Sequence, residues 1–162
     1  DNLLIYIFLA LHMDEKIRWH ELEKHDTKDI HDGHVNGFLI PAWRDWDDTI
    51  SVPPKMVYVT RINPGERKGP HLHKIRHSYY VCIKGKVVFI IKNNDGKYLE
   101  IESGEDNPVL VEIPKGFSSA HINLSKEPST ILALVNPSWK PDIRDEHNIT
   151  YDDYDWNKWK NE

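Results

Sequence analysis

The segment Gly65–Gly85 constrains the fold more than any other part of the chain, because it places histidines at alternate positions of a predicted strand. It reads GERKGPHLHKIRHSYYVCIKG, in which a glycine and five further residues precede a His-x-His pair. Side chains two positions apart on a strand point to the same face, so we expect His71 and His73 to face one cavity. If the strand continues without a bulge, His77 and Tyr79 share that face. The segment therefore predicts a small-molecule pocket in a β-barrel.

Short strand-like runs separated by turn signals dominate the chain from residue 56 onward. Alternation and β-branched content predict strands at Met56–Ile62, Tyr79–Lys92 with a break at Gly85, Tyr98–Ile101, Val109–Ile113 and Thr130–Val135. The sequence Asn-Asn-Asp-Gly at 93–96 predicts a hairpin turn, and one short helix is expected within Tyr151–Trp159. The regular spacing of strands and turns predicts an all-β fold, an antiparallel double-sheet jelly-roll barrel.

We expect residues 1–162 to form a single domain. Its predicted parts are N-terminal strands and loops at 13–55, the barrel core at 56–136 and a C-terminal tail at 137–162. The apolar run Leu3–Leu11 is too short to span a bilayer. We interpret residues 1–12 as an upstream extension before a start at Met13, or as an edge strand that adds to a partner's sheet in a homodimer.

Charge and cysteine content narrow the classes of partner. The formal net charge of -5, with no basic stripe, argues against a nucleic-acid partner. No signal peptide or membrane anchor is evident, so we expect no membrane partner and a cytoplasmic location. Cys82 is the single cysteine and lies in an apolar strand run, which is typical of a buried thiol without a chemical role.

Three short motifs, in order along the chain, carry a family resemblance. They are PGERKGPHLHK, VEIPKGFSSAHINLS and VNPSWKPDIRDEHNITYDDYDW. The stretch from Pro64 to about Trp156 resembles the cupin-fold enzymes that act on dTDP-4-keto-6-deoxy sugars, namely the dTDP-4-dehydrorhamnose 3,5-epimerases and the related 3,4-ketoisomerases. The resemblance implies a cupin barrel, a nucleotide-sugar substrate and isomerase or epimerase activity.

The resemblance also implies catalytic residues. His71 stands at the position of the family's catalytic histidine, which takes a proton from the carbon beside the sugar's ketone, and we expect His71 and His73 to be the acid and base groups. The lysine and tyrosine of the 3,5-epimerases fall at Ser78 and Trp139. Serine cannot supply the charge of the lysine, and the indole N–H cannot transfer a proton as the tyrosine does. The ketoisomerase reading keeps its histidine pair.

Substrate contacts are expected from further side chains of the same motifs. In the resembled enzymes arginines bind the diphosphate, and here Lys68 replaces the arginine that precedes the first histidine. Asp145 and Glu146 are candidates to orient a histidine, although no sequence rule selects them. The expected substrate-binding residues are Arg61, Lys68, His77, Tyr79, His121 and Trp139.

Two alternatives to a cofactor-free sugar-nucleotide enzyme stay open. Many cupins bind a divalent metal through the His-x-His pair, a glutamate and a histidine of the second motif. The glutamate position is Ser78 here, which leaves His71, His73 and His121 as a three-imidazole metal site. The other alternative is a cupin that has lost catalysis and only binds a sugar.

Overall fold

The computed structural model describes residues 16–160, which form two five-stranded sheets and one two-stranded sheet, all antiparallel. The strands are β1 (Arg18–Glu21), β2 (His25–Lys28), β3 (Val35–Leu39), β4 (Met56–Ile62), β5 (Arg67–His73), β6 (His77–Lys84), β7 (Lys86–Lys92), β8 (Tyr98–Gly104), β9 (Val109–Ile113), β10 (Ser118–Asn123), β11 (Ser129–Asn136) and β12 (Glu146–Asn148). The apolar run Leu3–Leu11 lies outside the described residues, so the homodimer expected from it stays a prediction.

The strand order confirms the predicted antiparallel double-sheet barrel. One sheet has the order β1-β9-β6-β11-β4 and the other the order β12-β5-β10-β7-β8, while β2 and β3 pair with each other alone. Gly85, with a φ of 77°, separates β6 from β7 as predicted. The hairpin at 93–96 is also confirmed: the N–H of Asn93 donates to the carbonyl of Lys97, and Gly96 adopts a φ of 75°.

The core lies between the two large sheets and is almost entirely aliphatic and aromatic. Its most buried members include Val87, Phe89 and Ile91 of β7 and Ile131 and Val135 of β11, each at 0 % exposure. These side chains stand two or four positions apart on their strands, so the alternation of the sequence places them on one face. The middle of the barrel is filled in this way, and a hollow lies toward the end where β4, β5 and β10 meet.

The C-terminal tail covers the outer face of the second sheet. Tyr151 is buried against Val88 and Ile90, and Trp156 stacks beside it with ring centroids 5.9 Å apart. The short helix expected in this tail is a 3-10 turn limited to Trp156–Trp159. Within residues 16–160 no helix is long and apolar enough to cross a membrane.

The strand that carries the histidine pair ends at His73 and does not run on toward Gly85. Residues 74–76 form a bend, after which the chain continues as β6 in the other sheet. The face that points inward changes at this bend. In β6 the even-numbered Tyr80 and Cys82 belong to the core between the sheets, whereas Tyr79 packs on the outer side of its sheet.

A buried polar cluster on that outer side fastens the N-terminal segment to the barrel. Glu112 of β9 is 5 % exposed and accepts hydrogen bonds from His77 Nε2 at 2.9 Å and from Ser51 Oγ at 3.3 Å. The hydroxyl of Tyr79 accepts from the N–H of Val52 at 3.0 Å. Burial alone would raise the pKa of Glu112, but the hydrogen bond and charge of His77 outweigh it and lower that pKa.

Replacing Glu112 by Ala is expected to lower the free energy of unfolding by about 3 kcal/mol, because it leaves several buried donors without their acceptor. Urea denaturation followed by tryptophan fluorescence measures this loss. Glu102→Ala is the matched control, since its ion pair with Lys86 is about half exposed and is expected to contribute less than about 1 kcal/mol. Equal losses in the two variants would contradict a stabilising role for the cluster.

Candidate active site

The barrel opens into a cavity of about 670 Å³ at the end where β4, β5 and β10 meet. Its wall is mixed, with aromatic, cationic and imidazole side chains beside a single carboxylate. The lining residues are Met56, Tyr58, Thr60, Arg67, Lys68, Gly69, His71, His73, Arg76, Tyr80, Ser119, His121, Trp139 and Glu146. A concave site with a few convergent polar groups is what small-molecule binding requires.

β5 supplies more of the wall than any other strand, and Gly69 shapes it. Gly69 has a φ of 82°, and a Cβ placed there would lie 2.6 Å from the carbonyl oxygen of Ser119. Only glycine fits this close approach to β10, next to the register shift between Ser119 and His121. C-terminal to this point the strand alternates, so His71 and His73 both enter the cavity as predicted.

His71 is paired with a carboxylate of the neighbouring strand. Its Nδ1 lies 3.7 Å from Oε1 of Glu146, and its side chain is 32 % exposed. β12 brings this carboxylate into place because its residues 146–148 pair antiparallel with residues 71–73 of β5. A partly exposed imidazole beside a carboxylate is an arrangement that suits proton abstraction, since the carboxylate stabilises the imidazolium that forms.

His73 lies deeper and is paired with a cation. Nη2 of Arg76 donates to His73 Nε2 at 2.7 Å, and the histidine side chain is 13 % exposed. Burial and, after it, the charge of Arg76 lower the pKa of His73, although Asp145 and Glu146 oppose them. The lowered pKa favours the neutral form of His73, whose Nε2 accepts from the guanidinium.

His121 projects from β10 between two aromatic rings. Its ring centroid lies 4.8 Å from those of Tyr80 and Phe89, in edge-on contacts. Burial, followed by the nearby charges of His71 and Lys68, lowers the pKa of His121 to about 3. Its Nε2 lies 3.2 Å from Ser119 Oγ. A neutral imidazole in this place binds or orients a ligand, and it does not store a proton near neutral pH.

Lys68 and Trp139 also reach the cavity, as expected for substrate contacts. The Nζ of Lys68 donates to Thr60 Oγ1 across the opening between β5 and β4. Trp139 stands at the rim and is 63 % exposed, so its indole face is open to a ligand. The structure thus gathers His71, His73, Lys68, His121 and Trp139 around one space.

Three of the predicted contacts do not reach the cavity. His77 and Tyr79 lie in the polar cluster on the outer side of their sheet, because the bend at 74–76 changes which face points inward. Arg61 lies on β4, whose even-numbered Tyr58 and Thr60 face the cavity while the odd-numbered positions up to Arg61 face solvent. These three side chains therefore do not line the cavity, against the expectation that they do so as substrate contacts.

Several cavity residues were missed from the sequence. Tyr58 and Thr60 could have been found, since alternation along Met56–Ile62 marks them as one face once a neighbour of that strand is known. Arg76 gave no such signal, because it lies in the bend and reaches the cavity only through the turn of the chain. Burial and, after it, the neighbouring Tyr80 raise the pKa of Tyr58, so this phenol stays protonated as a hydrogen-bond donor.

The cavity histidines do not fit the metal alternative. Nε2 of His73 already accepts from a guanidinium, which both occupies the nitrogen and repels a divalent cation. Among residues 16–160, the only group of three or more His, Cys, Asp or Glu side chains whose possible ligand atoms all lie within 4.8 Å of one another is Asp29, Asp32 and His34, in the loop between β2 and β3. His71, His73 and His121 thus share a cavity without forming a ligand set.

Comparisons with known proteins agree with the fold. The chain is 41 % identical over 104 residues, 58 % of its length and 69 % of the relative's, to the spore coat polysaccharide biosynthesis protein SpsL of Bacillus subtilis (strain 168). The dTDP-4-dehydrorhamnose 3,5-epimerase from Sulfolobus tokodaii superposes with a TM-score of 0.71 at 20 % identity, over 90 % of this chain and 83 % of that one. The resemblance to cupin-fold enzymes of this kind is confirmed.

A longer protein shares part of the fold. The capsular polysaccharide assembling protein CapF from Staphylococcus aureus matches 61 % of this chain with a TM-score of 0.57 and 23 % identity. The chain spans only 27 % of that protein.

A family model described as "FdtA: WxcM-like, C-terminal" matches residues 15–155. The matched stretch contains all twelve strands and every residue that lines the cavity. Because the match covers well over half of its residues, the chain belongs to the FdtA (WxcM-like, C-terminal) family.

Proposed function

We propose that the protein isomerises or epimerises a nucleotide-linked 4-keto-6-deoxy sugar, with His71 as the base that removes the proton next to the ketone. The observation that carries this proposal is the convergence of His71, its partner Glu146 and the guanidinium of Arg76 on one cavity. The family, the polysaccharide-biosynthesis relative and the dTDP-sugar epimerase with the same fold support this class of reaction.

The reaction requires a base and a positive charge near the ketone oxygen. When a proton leaves the carbon beside a carbonyl, the electron pair moves onto the oxygen as an enolate. His71 takes the proton, and Glu146 at 3.7 Å stabilises the resulting imidazolium. Arg76 is the group in the cavity best placed to stabilise the enolate, because His73 holds its guanidinium at 2.7 Å. Arg76 would thus supply the positive charge that a lysine provides in the resembled 3,5-epimerases and that Ser78, at the lysine position, lacks.

The charges of the cavity wall favour an anionic substrate. Arg67, Lys68 and Arg76 line the cavity, against Glu146 as the carboxylate in its wall. A sugar linked to a nucleoside diphosphate brings two phosphate charges that such a wall attracts. The same chemistry explains how Lys68 serves where the resembled enzymes use an arginine.

The ketoisomerase form of the reaction agrees better with these residues than full 3,5-epimerisation. A 3,5-epimerase needs an acid on the opposite face of the sugar, and Trp139 stands at the rim where the resembled enzymes have a tyrosine. Moving a carbonyl between adjacent carbons through an enediol needs proton transfer on one side. His71 and the neutral groups near it would carry out the proton transfer on that one side of the sugar.

Proton exchange tests the proposal directly. In deuterated water with a dTDP-4-keto-6-deoxyhexose, the wild-type protein is expected to incorporate deuterium next to the ketone, as read by NMR, and His71→Asn is expected to slow exchange by about 100-fold or more. His31→Asn, in an exposed loop, is the matched control and is expected to behave as wild type. Exchange that is unchanged in His71→Asn would refute His71 as the base.

Absence of exchange in the wild type would reject the proposed reaction. Saturable binding of the nucleotide sugar without exchange would then favour a sugar-binding protein. Activity that depends on an added divalent metal would favour a metal-dependent cupin.

Removing the guanidinium tests the second role. Arg76→Gln is expected to lower the exchange rate roughly 100-fold, because the enolate loses its charged donor, with a smaller effect on substrate binding. Arg61→Gln is the matched control and is expected to leave the rate unchanged, since Arg61 faces solvent on the outer side of β4. Similar losses in both variants would contradict a catalytic role for Arg76.

The low pKa of His121 has a measurable consequence. Its ring protons are expected not to titrate above about pH 5 by NMR, with His121→Gln assigning the signal. The folded-state pKa of about 3 lies below the ordinary 6.5, so the unfolded chain binds the proton more tightly and stability falls as the pH drops from 6.5 toward 3. His121→Phe is expected to reduce this fall. A midpoint near 6.5 would contradict the expectation.

A further inference from the structure

Asp145, the residue just before β12, holds the bend that joins β5 to β6. Its Oδ1 accepts from the backbone N–H groups of Lys74 at 2.9 Å and Ile75 at 3.0 Å, and its Oδ2 accepts from the N–H of Arg76 at 2.9 Å. The carboxylate is 16 % exposed. One side chain thus satisfies three consecutive backbone donors.

These three donors lie where the chain leaves one sheet and has not yet joined the other, so no strand neighbour accepts from them. Hydrogen bonds to an ionised acceptor are about twice as strong as neutral ones, and removal of the carboxylate would cost the bend three of them. The carboxylate therefore fixes the path of residues 74–76. The path of the backbone in turn sets the position from which the side chain of Arg76 extends.

Asp145 also faces the ring that holds Arg76. Its Oδ2 lies 3.6 Å from His73 Nδ1, a buried atom with no hydrogen-bond partner within the part of the chain that the structure describes. On the other side of the ring, Nε2 accepts from Arg76 at 2.7 Å. A guanidinium only donates, so Nε2 carries a lone pair and the proton of the neutral ring is on Nδ1, facing Asp145.

We propose that Asp145 is a positioning residue, which sets the bend and the Nδ1–H tautomer of His73 and thereby aims the guanidinium of Arg76 into the cavity. Asp145 does not itself line the cavity, so it acts through His73 and Arg76. The effect on catalysis rests on the proposed function. The effect on the tautomer does not.

The tautomer is read without substrate. In wild-type protein labelled with ¹⁵N-histidine, the long-range ¹H–¹⁵N spectrum is expected to show His73 as the Nδ1–H tautomer, identified by its loss in His73→Gln. Asp145→Asn is expected to shift His73 toward the Nε2–H form. Its amide –NH₂ replaces the Oδ2 that faces His73 Nδ1, and a donor there favours a lone pair on Nδ1. Asp142→Asn, an exposed residue of the same loop, is the control and is expected to leave the spectrum unchanged.

Kinetics then separate positioning from a purely structural role. Asp145→Asn is expected to lower kcat for deuterium exchange by roughly 10- to 100-fold, with a smaller change in KM. An Nε2–H tautomer in wild-type His73 overturns the inference even if the variant fails to fold. So does a variant whose tautomer and kcat match those of Asp142→Asn. The expected tautomer shift in a protein that catalyses no exchange would support Asp145 as a positioning residue and refute the proposed function.

Discussion

The passage of the chain from one sheet to the other at residues 74–76 is the constraint on which the rest of the site depends. Strand pairing ends there, and the backbone donors of the bend are satisfied by the carboxylate of Asp145 instead. Hydrogen bonds to a carboxylate are stronger than those to neutral acceptors, so Asp145 stabilises this conformation of the bend. It places Arg76 against His73 on the cavity side and directs His77 and Tyr79 to the outer side of the sheet that contains β6.

Electrostatics divide the histidines of the cavity into different roles. The pKa values of His121 and His73 are lowered, chiefly because burial disfavours the charged forms, and neighbouring cations add to that effect. His71 is more exposed and has the carboxylate of Glu146 beside it. The three cavity histidines therefore stand in different electrostatic surroundings, which agrees with the separate roles proposed for them.

Local patterns predicted most of the barrel. Met56–Ile62 and Val109–Ile113 were predicted with the bounds that the structure shows, because alternation and β-branched content are properties of the strand itself. His71 and His73 were placed in the cavity by the same rule. The same rule failed for His77 and Tyr79, because β5 ends at His73 and the chain crosses to the other sheet before them. Arg61, expected to contact substrate, stands on the exposed face of β4.

The sequence by itself determined the all-β fold, the break at Gly85 and the pairing of His71 with His73 on one face, because these follow from period-two alternation and turn chemistry over short distances. Only the tertiary structure decided which groups join that pair. Arg76 enters through a bend, and Glu146 comes from a strand far along the chain that pairs antiparallel with β5. The bend is held by Asp145 and Glu146 is placed by strand pairing, and both are contacts between segments distant in sequence, which no local pattern encodes.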